Sequence, residues 1–282
     1  VDAARRQQKR SFYINMGSMA SLVLLASFLI WWKFVRSNER RLDQTITIPA
    51  GEFLVGDGTP MKLEEYDIDK YEVTIGQYAN FVRFIEMNPE REKDFDHPEQ
   101  PRWITGHVPE DWEIYFGRAK AGKPVRSVPI SLNSPMMMVS WWDAYAYAKW
   151  RGRELPSEAQ WEKAARGTAG FKFPWGEELD PKRLNSGADF VAQQPAAKGS
   201  VDGFNYWGDV DAQKQDESPY GVIGMAGNVS EWTATWSPEQ KPVIKGGNFS
   251  APAQPLSGKI TDREAKDRQE SIGFRTVNRK LP

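Results

Sequence analysis

Hydrophobic and polar positions change their rhythm several times along the chain. From Ser11 to Trp32 no residue carries a charge. That run spans the hydrocarbon layer of a bilayer, about 30 Å, at about 1.5 Å per helical residue. Thr45-Ile46-Thr47-Ile48 then alternates as a first strand ending in the turn Pro49-Ala50-Gly51-Glu52, and Phe53-Leu54-Val55-Gly56 resumes it. A further alternation over Tyr66 to Val73 gives way at Thr74 to a helical spacing of Tyr78, Phe81, Val82 and Ile85, with Thr74 and Gln77 three residues apart as a capping box. Ser140 with Asp143 opens a second helix that runs through Trp150 and closes at Arg151-Gly152. Pro156-Ser157-Glu158-Ala159-Gln160 opens a third that ends near Gly167.

Residues 87 to 135 are rich in Pro, Gly and charge and hold no lasting period, so they read as a long ordered excursion carrying Trp103, Trp112, Tyr115 and Phe116. Beyond Phe173-Pro174-Trp175-Gly176 come turn formers and short apolar runs, with helix-like spacing only around Ala226 to Trp232, where a helical turn is expected. With no internal repeat, residues 42–282 are expected to form one α+β domain in which irregular structure predominates. Residues 1–41 are expected to form a basic tail and a single transmembrane helix over about residues 11–32.

Charge sharpens the anchor reading. Arg5, Arg6, Lys9 and Arg10 precede the apolar run, Lys33, Arg36, Arg40 and Arg41 come after it, and Trp31 and Trp32 stand where interfacial aromatics sit. A bulky, charged segment after the run argues against a cleaved signal peptide. The body holds 29 Lys and Arg against 36 Asp and Glu over residues 42–282, a net of −7. Such a body lacks the basic patches that nucleic acid and anionic lipid require, so no nucleic-acid partner is expected. The favoured topology is single-pass in the inner (cytoplasmic) membrane, with the N-terminus inside and the domain in the periplasm or outside. Gly17 and Ser21 form a small-xxx-small face on which a partner helix from another subunit would pack.

The chain has no cysteine. Disulfides, thiolate nucleophiles and cysteine metal sites are therefore excluded. Its two histidines, His97 and His107, lie ten residues apart in the excursion and read as ordinary loop residues, although with Asp96 or Asp111 they also offer a histidine and carboxylate set. No serine lies in a nucleophile-elbow context.

A series of segments in fixed order resembles the formylglycine-generating enzyme (sulfatase-modifying factor) family. They include Ile48-Pro49-Ala50-Gly51-Glu52-Phe53, Asp69-Lys70-Tyr71-Glu72-Val73-Thr74, Val139 to Tyr147 and Arg153 to Gly167. Phe173-Pro174-Trp175-Gly176, Gly224 to Trp232, Lys245-Gly246-Gly247-Asn248-Phe249 and Gly273-Phe274-Arg275 continue the series. The resemblance implies a variant of the C-type lectin fold. Family members that make formylglycine look like copper enzymes using two cysteines downstream of the Gly-Gly motif, at positions held here by Ala251 and Leu256. Neither side chain supplies the soft thiolate that Cu(I) needs, so the resemblance implies a member that binds no copper and makes no formylglycine.

The resemblance also implies structural Ca2+. One site would take Asn185 and the carbonyl of Ser186 with Asp202 and the carbonyl of Phe204, and another the carbonyls of Ala226, Gly227 and Val229 with Glu231. Oxygen sets of this kind suit a hard, flexibly coordinated cation. The leading functional expectation is a membrane-anchored, non-catalytic structural or binding subunit of a bacterial membrane complex. Its contact face would combine Trp103, Trp112, Tyr115 and Phe116 with the Asn248 to Gly258 loop. Alternatives are an iron-dependent oxidoreductase with an altered site, and an extracytoplasmic carbohydrate-binding or sensor module.

Overall fold

The computed structural model describes Ser27 and residues 40–56, 58–187, 199 and 201–279. It divides into two units, Val1–Asp43 and Gln44–Pro282. Apart from Ser27, the expected membrane span lies outside the described residues, as do Gly17 and Ser21. Among the described residues no helix is long and apolar enough to cross a membrane.

The body mixes short helices and strands. Strands β1 (Thr45–Ile48) and β4 (Tyr66–Asp69) pair antiparallel, with Thr45 opposite Asp69 and Ile48 opposite Tyr66. The last strand, β8 (Val277–Arg279), adds to the other side of β4. Strands β2 (Gly51–Val55) and β3 (Thr59–Leu63) form a separate hairpin. A third sheet has β5 (Ser230–Trp236) at its centre, antiparallel to β6 (Pro242–Lys245) and parallel to β7 (Ile272–Gly273).

The three helices read from the sequence all start on their capping boxes. These are α1 (Ile75–Met87), α3 (Trp141–Trp150) and α4 (Glu158–Arg166), whose N-cap side chains Thr74, Ser140 and Ser157 accept from the backbone N–H groups of Gln77, Asp143 and Gln160. Each box satisfies two N–H groups that the helix cannot.

The excursion holds more order than its sequence rhythm predicts. It contains a 3₁₀ helix, Pro89–Phe95, and a further helix, α2 (Trp112–Ala121). Asp111, a preferred N-cap residue, stands at the α2 N-cap but makes no side-chain capping bond, so α2 starts without the reciprocal box of the other three. Tertiary burial holds α2 instead, through Trp112, Tyr115 and Ala119. The helical turn considered around Ala226 to Trp232 is a series of bends that passes into β5 at Ser230.

Two cores result. One is aromatic and gathers α1, α2 and α3, with Tyr78 stacked on Tyr147 at 5.5 Å and Phe81 and Phe274 edge-on around them. The other lays Trp161, Ala164 and Ala165 of α4 against Ile48, Tyr66, Met225 and Leu256. Between Gly167 and Val229 the described residues form no helix or strand, and loops pair with loops. Gly187 N–H donates to the Ala251 carbonyl at 2.8 Å and Asn228 N–H to the Asn185 carbonyl at 2.8 Å. Such bonds satisfy buried backbone groups that no ladder reaches.

Candidate functional site

The segment after β6 carries the Gly-Gly motif. A Cβ on Gly246 would lie 3.0 Å from the Trp161 ring and from the Met225 carbonyl, and one on Gly247 only 2.3 Å from the Ala226 carbonyl. These glycines permit a close backbone crossing that any side chain would block. Asn248 fixes the turn after them, since its Oδ1 accepts from Ser250 N–H at 3.0 Å and from the Ser250 hydroxyl at 2.8 Å, while its Nδ2 donates to Ser230 Oγ at 3.0 Å.

The loop folds round a cleft of about 70 Å³ whose lining includes Gly246, Ala251, Gln254, Leu256 and Lys259. Ala251 presents a methyl group and is half-buried. Leu256 is 1% exposed and packs into the second core. The two expected thiol positions therefore carry hydrocarbon, one of them as a core side chain. Neither holds a lone pair for a soft cation or a nucleophile for a substrate.

Beneath this cleft lies a layer of buried ions. Glu231 accepts from Arg275 Nε at 3.0 and 2.8 Å and from Nη2 at 2.7 Å, and Trp161 Nε1 donates to its Oε2 at 2.8 Å. Arg275 also donates to the carbonyls of Asp69, Lys70 and Ile223. Lys245 Nζ meets Glu162 Oε2 at 2.9 Å, and Arg166 pairs with the same carboxylate. Burial pulls Lys245 below the ordinary lysine value, with Glu162 opposing it.

Sequence reasoning gave no role to Glu72, Asp216 or Arg275. Glu72 Oε1 accepts from Asn228 Nδ2 at 2.9 Å and Asp216 Oδ2 accepts from Ala226 N–H at 2.8 Å, while the second oxygen of each is buried without a hydrogen-bond partner. Burial pushes Glu72 up to about 8 and Asp216 up to about 7, in both cases against the pull of Arg275. The available signal was a charged residue inside an apolar strand-like run, at Glu72 and again at Arg275, where exposure is not an option.

The first expected Ca2+ set is brought together. Asp202 accepts from Ser186 N–H at 2.9 Å and from Phe204 N–H at 2.8 Å. Asn185 Nδ2 donates to the Tyr206 carbonyl at 2.7 Å, which fixes the amide and leaves Oδ1 buried with no hydrogen-bond partner. The orphaned carboxamide oxygen suits a hard cation, while both Asp202 oxygens already accept from backbone N–H groups. The second set fits less well. Ala226, Gly227 and Val229 are buried together, but both oxygens of Glu231 already face N–H donors of Arg275 and Trp161.

The excursion aromatics separate. Trp112 and Tyr115 are buried at 4% and 7%, because α2 turns them into the first core. Phe116 is half-buried and stacks on Trp112 at 4.7 Å. Trp103 alone of the four is open, at 66% exposure.

The histidines do not share a site. His107 is fully buried with Nε2 2.9 Å from Asp96, whereas His97 lies edge-on to Tyr145 at 4.6 Å and its Nδ1 accepts from Glu99 N–H. Among the described residues no three His, Cys, Asp or Glu side chains form a cluster fit to hold a metal ion.

Comparison with known proteins places this geometry. The family described as "Sulfatase-modifying factor enzyme 1-like domain" matches residues 33–280. The "Inactive C-alpha-formylglycine-generating enzyme 2" of Mus musculus is 29% identical over 95% of this chain and 96% of its own length. The "Formylglycine-generating enzyme" of Thermomonospora curvata is 31% identical over 71% of this chain and 74% of its own. Among solved structures, PvdO from Pseudomonas aeruginosa superposes with a TM-score of 0.54 at 20% identity, over 83% of this chain and 93% of that one.

Proposed function

Because the chain belongs to the sulfatase-modifying factor enzyme 1-like domain family, whose members here include both active and inactive relatives, we propose that it is a non-catalytic member. It serves as a structural or binding subunit of a bacterial membrane complex, held by a single N-terminal span, with its lectin-like domain outside the cytoplasm. One observation carries the loss of chemistry. Where the resemblance expects two thiols, Ala251 offers a methyl and Leu256 an isobutyl group sunk in the core. Buried hydrocarbon at a ligand position ties that position to stability, and contact is the function left to the surface. The uncharged run from Ser11 to Trp32 and its basic flanks support the anchor.

Two measurements test this reading. Purified protein incubated with Cu(I) and a cysteine-bearing sulfatase-type peptide is expected to yield no aldehyde, and aldehyde formation would overturn it. Extraction in mild detergent is expected to yield a particle larger than one chain with co-purifying subunits, and a sharply monomeric particle would overturn the subunit role.

We propose Ca2+ as a structural ligand at the first set alone. Asn185 Oδ1, the Ser186 and Phe204 carbonyls and Asp202 would hold it, and the ion would satisfy the oxygen that the fold leaves unpaired. Adding Ca2+ is then expected to raise the melting temperature of the wild type but not of Asn185→Ala. Equal response of both proteins would sink the site.

A further inference from the structure

We infer that the open groove beside Trp103 recognises a lysine or arginine side chain on an extended segment of a partner protein. This rests on the binding-subunit reading and names its surface. The groove has a volume of about 720 Å³ and runs between the Trp103 to Gly106 stretch and the Lys266-Asp267-Arg268 loop. Trp103 exposes its indole here, whereas Trp112 in the same excursion is buried.

A cation already occupies that indole. Lys266 Nζ stands 5.8 Å from the Trp103 ring centroid, in cation–π range. The chain thus uses its own exposed ammonium where a partner's would sit.

The groove charge favours the same class of ligand. Glu92, Glu110 and Asp267 line it together with Lys266 and Arg268. Arg268 spends its charge on the buried Asp143, to which Nε and Nη2 both donate at 3.0 Å, and only its Nη1 approaches Glu110, at 4.0 Å. Glu92 and Asp267 accept from the backbone N–H groups of His107 and Glu264, contacts that orient them without neutralising them. In this first groove three carboxylates thus line the surface with Lys266, the one cation not committed to a buried carboxylate. An indole face bordered by surplus carboxylates attracts cations and repels acidic or phosphorylated partners.

The shape argues for a chain rather than a free amine. A second cleft of about 580 Å³ shares Glu92, Ile104, Thr105 and Gly106 with the first and adds Lys93, Asp96 and Arg102, so the surface extends past Trp103 instead of ending in one small pocket. A segment laid along it would place one side chain on Trp103 while its backbone continues into the neighbouring cleft.

Fluorescence anisotropy on the full chain in detergent tests the inference. The probes are a labelled glycine–serine peptide bearing lysines and its glutamate and serine counterparts. The lysine peptide is expected to bind and the other two are not. Trp103→Ala, at an exposed position, is expected to weaken binding by roughly 3- to 30-fold while leaving the melting temperature unchanged. Lys266→Ala is expected to strengthen binding, because it vacates the indole. Lys172→Ala, which removes an exposed lysine outside the groove, is expected to leave binding unchanged. Equal effects of the two lysine variants, or binding of the glutamate or serine peptide, would overturn the site. Wild-type protein that co-purifies with partner subunits, and that ignores the lysine peptide once separated from them, would also overturn it, with the subunit reading left standing.

Discussion

Arg275 grips Glu231 with two of its nitrogens, and neither side chain reaches solvent. Taking away one member leaves the other as a buried, unpaired charge, which costs about 3–5 kcal/mol. Arg275→Met is expected to lose that much unfolding free energy in a denaturant titration. Arg275→Lys is expected to recover little of it, because an ammonium lacks the planar fork that also reaches the carbonyls of Asp69, Lys70 and Ile223. A loss below about 1 kcal/mol for Arg275→Met would contradict this account.

Leu256 stands at one of the two positions that the family resemblance assigns to a thiol, yet it packs with Trp161 and Ala226 in the second core. Leu256→Ala is expected to lower stability by about 2–5 kcal/mol through lost burial and the cavity left behind. Thermal unfolding checks it, and a near-neutral variant would show that the side chain is not part of the core.

Two glycines separate crowding from helix propensity. Gly247→Ala drives a methyl group into the Ala226 carbonyl at 2.3 Å and is expected to cost about 1–3 kcal/mol. Gly117 lies inside α2 with nothing within 4 Å of an added Cβ. Gly117→Ala is expected to gain about 0.5–1 kcal/mol. Melting both variants in parallel tests the pair, and a shift of the same sign for both contradicts the packing argument.

His107 links stability to pH. Burial alone would lower its pKa, but Asp143 and Asp96 outweigh burial and hold it above the ordinary 6.5. A raised folded value means that this contribution is complete below about pH 6.5 and is lost as pH rises through the folded value. Asp143 moves the other way. Burial would raise it, yet His107 and Arg268 hold it below the ordinary carboxylate value, so its contribution is lost on acidification below that range. Unfolding free energy against pH is expected to fall on the alkaline side of 6.5 in the wild type, with a flatter slope in His107→Gln. Superimposable slopes would rule out His107 as the source.

What the sequence showed depended on how local the physics was. Thr74 with Gln77, Ser140 with Asp143 and Ser157 with Gln160 announce their helices within four residues, and all three caps form as read. Helix α2 escaped because its start is uncapped and its order comes from Trp112 and Tyr115 meeting a core built by distant segments. The same distance hid which aromatics are buried, so only the fold distinguishes Trp103 from Trp112. Both Ca2+ sets were expectations from a resemblance, whereas the commitment of Glu231 to Arg275 required partners 44 residues apart to be seen together. The anchor reading concerns residues that, Ser27 aside, lie outside those described.

Strand β8 lies beside β4 although more than two hundred residues separate Ile68 from Val277, its partner in the register. During synthesis β4 must leave the ribosome with one edge bare. Asp69 likewise waits for Thr276, whose N–H and hydroxyl both bond its Oδ2. A nascent chain halted before Ile272 would lack β7, the guanidinium that neutralises Glu231 and the closing strand together. Such a fragment would present an open sheet edge, a ready template for pairing with another chain, until Thr276 and Val277 arrive to cover it.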